Sequence, residues 1–109
     1  MMKGVLDFLT DPHSLEAYLL RKNFVFKIVP MINIDGVVTG NYRGSLTGMD
    51  LNRKWKAPNP VIFPELASIK RMAQQFANER QVVLYCDFHG HSRARQAFMY
   101  GNDYPINPE

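Results

Sequence analysis

Hydrophobic and polar positions along the chain change period several times. Val5, Leu6, Phe8 and Leu9 form an apolar face at helical spacing, and the segment breaks at Thr10–Asp11–Pro12. With no N-cap ahead of it, this stretch reads as the back end of a longer helix. Thr10 or Asp11 is placed to cap a second helix with Pro12 at its first position, and Leu15, Tyr18 and Leu19 then face inward through about Arg21. Phe24–Val25–Phe26–Lys27–Ile28–Val29 has the β-branched and aromatic content of a strand buried on both faces. Pro64 and Glu65 open a helix through about Arg80, with Leu66, Ile69, Met72, Ala73 and Phe76 as its apolar stripe. Val82–Val83–Leu84–Tyr85 begins a second buried strand that runs to Phe88. Ala97–Phe98–Met99–Tyr100 reads as a short strand, and Gly101 to Pro105 as a turn. Helix, helix, strand, long loop, helix, strand is an α/β order, with parallel neighbours joined by the helix over 65–80.

Between Pro30 and Pro64 there is little periodicity. A loop of that length in a compact domain is usually either functional or disordered. Here Val37, Val38, Tyr42, Leu46, Leu51 and Trp55 are interleaved through it, which favours order.

Composition narrows the class without naming a chemistry. At 109 residues the chain is one domain at most, or part of one, and its 46% apolar content argues against intrinsic disorder. The single cysteine, Cys86, excludes an internal disulfide and suits a reducing, cytoplasmic setting. No apolar run approaches the roughly 20 residues of a membrane span, and the start lacks the pattern of a secretion signal. Thirteen Lys and Arg against ten Asp and Glu give +3, too mild to imply nucleic acid but compatible with an acidic substrate.

Two polar stretches carry the candidate chemistry. Cys86–Asp87–Phe88–His89–Gly90–His91–Ser92–Arg93 begins where the second strand should stop, the end at which α/β sheets gather ligands. Imidazole is the commonest metal ligand, but two histidines at this spacing on extended chain point to opposite faces. One can bind metal while the other lines a pocket; polar loop histidines without a ligand role are the competing account. In Asp50–Leu51–Asn52–Arg53–Lys54–Trp55, the Asn52 amide beside the Arg53 guanidinium suits a carboxylate, with Arg43 a second cation in the same loop. A solvated basic loop is the alternative there, since Lys54 and Lys56 follow. His13 and Glu16 have the spacing of a zinc-ligand pair, yet they lie at a helix start, where a first-turn Glu is expected as a dipole partner. Cys86 reads as a small buried thiol, with no base implied beside it.

Phe26–Lys27–Ile28–Val29–Pro30–Met31–Ile32–Asn33–Ile34–Asp35–Gly36–Val37, Gly40–Asn41–Tyr42–Arg43, Asp50–Leu51–Asn52–Arg53, the His89 segment and Phe98–Met99–Tyr100–Gly101 follow in that order. Together they resemble the cytosolic carboxypeptidases of the zinc metallocarboxypeptidase superfamily, the group that removes glutamates from tubulin tails. The resemblance runs from Met1 to about Asn102. It implies part of an α/β/α sandwich with a mixed, largely parallel central sheet. It also implies one zinc ion with His89 as its third ligand, Asn52 and Arg53 on the substrate's C-terminal carboxylate, and Arg43 as the catalytic group on the scissile carbonyl. The implied partners are polyglutamylated or otherwise acidic C-terminal tails, with no nucleic acid and no membrane.

The chain departs from that pattern in ways that bear on activity. Asn33–Ile34–Asp35–Gly36 stands where the family usually has Asn-Pro-Asp-Gly, and Gly44 where it commonly has cysteine. The family's His-x-x-Glu zinc ligands belong ahead of the first helix, so His13 and Glu16 are a decoy, and its general-base glutamate belongs beyond Glu109. Residues 1–109 are therefore expected to be a partial catalytic domain, inactive alone. The alternative is a non-catalytic module that grips C-terminal carboxylates. Arg93 and Arg95 are further candidates for selecting a glutamate side chain.

Overall fold

The computed structural model describes residues 1–101. Its first helix, α1 (Met2–Thr10), buries Leu9 and closes at Asp11, whose N–H donates to the Phe8 carbonyl. Asp11 does not start the next helix. Its carboxylate accepts from the His13 N–H at 2.8 Å, making an Asx turn, and α2 (Leu15–Asn23) is capped instead by Ser14, whose hydroxyl accepts from the Ala17 N–H. Glu16 sits in the first turn of α2 and accepts from the Ser14 hydroxyl, the dipole-partner position expected of it. Ala17 is the buried contact of α2 against α1, while Leu15, Tyr18 and Leu19 stay largely exposed rather than facing inward. Arg21 locks the pair by donating to the carbonyls of Leu9 and Asp11, groups that the end of α1 leaves unpaired.

The long central loop is built from defined turns, but of its interleaved apolar residues only Leu51 and Trp55 pack inward, while Val37, Val38, Tyr42 and Leu46 stand exposed; it also contains a helix that its pattern does not announce. In α3 (Ile34–Thr39) the Asn33 side chain accepts from the Gly36 N–H at 3.1 Å, and Gly40 ends the helix in the left-handed region at φ 77°. Gly36 has no room for a side chain, because a Cβ would collide with the Asn33 amide and the Gly44 carbonyl. A 3₁₀ turn at Leu51–Arg53 follows, capped by Asp50. Its Leu51 is buried with Phe63 and Leu66, and Ile32 and Trp55 pack against that cluster. The core therefore lies under the loop, where it fixes the 3₁₀ turn to α4.

Helix α4 (Pro64–Glu79) matches its expected span. Pro64 at its first turn needs no N–H partner, and Leu66 is wholly buried. Lys70 donates to the carbonyls of Trp55 and Lys56 at 2.9 and 3.1 Å, a second tie between α4 and the loop.

Residues 24–29, 82–88 and 97–100 form no strand among the described residues. Among the described residues, 25–32 and 81–101 make no backbone–backbone hydrogen bond, and Phe24, Val25, Val83 and Leu84 stand exposed. Strand character in a sequence becomes a strand only when a neighbour supplies the ladder, and these segments do not pair with one another. The expected turn beyond Gly101 lies outside the described residues.

Candidate functional site

A cleft of about 560 Å³ opens where the loop meets the segment after residue 86, lined by Tyr42, Arg43, Asp50, Asn52, Arg53, His89 and Gly90. Four of the residues singled out by sequence, Arg43, Asn52, Arg53 and His89, reach it. Local geometry explains how the loop delivers three of them together. Gly44 and Asp50 form an antiparallel bridge, with the Ser45 N–H donating to the Met49 carbonyl and the Gly48 N–H to that of Ser45. The excursion over 45–49 is thereby closed on itself, and residues 43 and 50–53 emerge side by side. The Asn33 side chain donates to the Gly44 carbonyl at 3.1 Å, so α3 holds the base of that excursion.

Within the 3₁₀ turn, the Asp50 carboxylate accepts from the Asn52 N–H at 2.9 Å and lies 4.0 Å from the Arg53 guanidinium. Leu51 turns into the core, which leaves Asn52 and Arg53 outward toward the cleft. Arg43 stacks on the Tyr42 ring with its Cζ 5.2 Å from the centroid. Two guanidinium groups and an amide against one partly engaged carboxylate make the cleft suited to an anionic group.

His89 enters from the far side. Its Nδ1 lies 3.1 Å from Asp87 Oδ1 and its Nε2 lies 3.3 Å from Asn52 Nδ2, across 37 positions of sequence. With Nδ1–H donated to the carboxylate, Nε2 presents its lone pair to the Asn52 amide and the cleft. A carboxylate behind the imidazole is the arrangement that orients a metal-binding histidine. One imidazole is not a metal site, however. Among the described residues no group of three or more His, Cys, Asp or Glu side chains is placed to hold an ion. His13 is remote in role as well as sequence, at the turn before α2.

His91 plays a different part. Its Nδ1 accepts from the N–H groups of Arg93 and Ala94, and its ring meets Phe98 edge-on at 5.2 Å, so it braces a turn. Neither Arg93 nor Arg95 lines the cleft. Cys86 is exposed rather than buried. The residues that sequence reasoning passed over are Tyr42 and Gly90 as lining, and Asp50, Trp55 and Asp87 as supports. Asp50 had a readable signal, a carboxylate two residues ahead of the N–H it caps. Trp55 stands three residues after Asn52, a spacing that brings side chains together on a helical turn. Among the described residues, Tyr85 is the titratable group that departs from its ordinary range: partial burial, and then the negative charge of Asp87, push its phenol upward.

Comparison with known proteins gives this geometry a context. The chain is 54% identical to cytosolic carboxypeptidase 2 of Xenopus tropicalis over 93% of its length, 49% identical to cytosolic carboxypeptidase 1 of Mus musculus over 93%, and 48% identical to cytosolic carboxypeptidase 3 of Mus musculus over 94%. It spans 10%, 8% and 10% of those relatives' own lengths. No solved structure matches it significantly. The family model for zinc carboxypeptidases matches residues 4–109, nearly the whole sequence, and the chain therefore belongs to the zinc carboxypeptidase family.

Proposed function

We propose that this chain is the carboxylate-gripping part of a cytoplasmic metallocarboxypeptidase that removes C-terminal glutamates from acidic, tubulin-like tails. One observation carries the reading: Arg43, Asn52 and Arg53 share a cleft with His89, which arrives from a distant part of the sequence. In this reading Arg53 holds the terminal carboxylate through its planar fork, while the Asn52 amide donates to the same group. Arg43 faces the carbonyl of the last peptide bond, where a fixed cation favours the negative charge that develops on oxygen during hydrolysis. The expected setting is an α/β/α sandwich in which residues 24–29 and 82–88 belong to a shared sheet.

Zinc, which the family implies, would supply the activated water of hydrolysis. The described residues offer it His89 and do not complete the three protein ligands a catalytic ion needs. For the 109 residues taken alone, the second reading is a carboxylate-binding module without turnover, supported by the cations and amide that line the cleft.

The test is a binding measurement on the chain with a glutamate-terminated peptide as free acid and as amide. Losing one charge-assisted pair weakens binding about tenfold to a hundredfold, so the free acid should bind at least tenfold tighter and Arg53→Ala should remove the preference. Equal affinity for acid and amide overturns the proposal. Zinc analysis with an assay for released glutamate separates the two readings: the chain alone should hold no stoichiometric zinc and release nothing, and turnover would contradict the second reading.

A further inference from the structure

We infer that Trp55 is a positioning residue that sets which end of the Asn52 amide faces the cleft, an inference that rests on the carboxylate-binding reading above. An asparagine side chain has two ends of nearly the same shape and opposite hydrogen-bonding character. Turned one way, Asn52 would aim a carbonyl oxygen at the cleft and repel a carboxylate. Turned the other way, it offers N–H donors. The indole N–H of Trp55 lies 3.2 Å from Asn52 Oδ1, and an indole can only donate, so it accepts one orientation and rejects the other. The opposite end agrees. Asn52 Nδ2 faces His89 Nε2 at 3.3 Å, and that nitrogen accepts in the neutral tautomer that carries its proton on Nδ1 toward Asp87. One N–H of the amide is used on His89, and the second stays free for a ligand oxygen.

Trp55 is itself held from two sides. Its ring packs against the buried cluster of Leu51, Phe63 and Leu66, and its carbonyl accepts from Lys70 of α4 at 2.9 Å. The backbone of Asn52 is fixed separately by Asp50. Core packing under the loop thus reaches the cleft as the orientation of a single amide. Trp55 touches no ligand in this account and acts through Asn52.

The test uses the 109-residue chain, an acid and amide pair of a fluorescently labelled glutamate-terminated peptide, and the indole N–H resonance, which is unique because the sequence has one tryptophan. Trp55→Phe keeps an aromatic ring on the core and removes the donor. The preference for acid over amide should fall about threefold to tenfold, the range of one neutral hydrogen bond, while binding of the amide is unchanged. A role in packing alone would weaken both peptides alike, and that result overturns the inference. A measurement on chains that keep the tryptophan guards against a Trp55→Phe chain that does not fold. Asn52→Leu should shift the indole resonance toward its solvent-exposed position, and Asn52→Asp, which keeps an acceptor, should not. An indole resonance indifferent to Asn52→Leu also overturns the inference. If the unaltered chain fails to distinguish acid from amide, the carboxylate reading falls and takes this inference with it. A Trp55→Phe chain that keeps the full preference sinks the inference alone.

Discussion

At the residue scale, the site is a chain of donors meeting acceptors in one direction: Trp55 to Asn52, Asn52 to His89, His89 to Asp87. Asp87 then acts on a further neighbour, since its charge adds to burial in holding the Tyr85 phenol protonated. The folded chain keeps that proton to higher pH than the unfolded chain, which releases it near the ordinary value of 10.0. Any stability tied to Tyr85 is therefore fully present below pH 10.0 and lost as pH climbs through the raised value. Urea denaturation at about pH 9 and about pH 11, one unit either side of that ordinary value, should show a smaller alkaline loss for Tyr85→Phe than for the unaltered chain. Identical losses would show that the Tyr85 phenol does not contribute to the alkaline loss.

At the element scale, the span of α4 was legible, because a first-turn proline and an apolar stripe speak through local geometry alone, although only Leu66 of that stripe is buried and Ile69, Met72, Ala73 and Phe76 line an open cleft. The second helix was legible too, but its start was misplaced: Asp11 closes an Asx turn and Ser14 caps, a contest between neighbouring short polar side chains that residue type does not settle. Helix α3 escaped the pattern because it is short, with two adjacent valines and an internal glycine. Its cues were at its ends, Asn33 ahead and Gly40 behind. Ile34 occupies its first position, one that would also accommodate proline, so the departure from the family's Asn-Pro-Asp-Gly alters stiffness and leaves the Asn33 and Gly36 contacts in place. Gly36 makes the role of this helix testable. Gly36→Ala forces α3 away from Gly44, with an expected cost of about 1–3 kcal/mol for an overpacked site, read as a fall in the urea midpoint. It should also weaken acid-peptide binding, because the Asn33–Gly44 link supports Arg43. An unchanged midpoint would show that the close approach is not real.

At the scale of the whole molecule, the two polar stretches were legible as a pair, but the second strand-like segment found no partner among the described residues. Val25, Phe26, Val82, Val83 and Leu84 instead line an apolar cleft of about 1210 Å³ between α1, α2 and α4. Strand-like chain with free N–H and C=O groups beside an apolar surface is a template for pairing with another chain. Light scattering should therefore show mass rising with concentration, and Val83→Lys, a charge on an exposed position, should suppress it. A monomer at every concentration would contradict this. Sequence periodicity describes what a segment can do, and pairing depends on a neighbour that periodicity does not supply.

The central claim is that the Asn52–Arg53 turn and His89 act on one ligand, and a residue-resolved titration addresses it most directly. The chain is titrated with a glutamate-terminated peptide while the Asn52 side-chain amide, the Arg53 guanidinium and the His89 ring are followed by NMR. All three should move with a common midpoint for the free acid, at least tenfold below the midpoint for the amide. A free acid that shifts Asn52 and Arg53 while leaving His89 untouched would contradict the account.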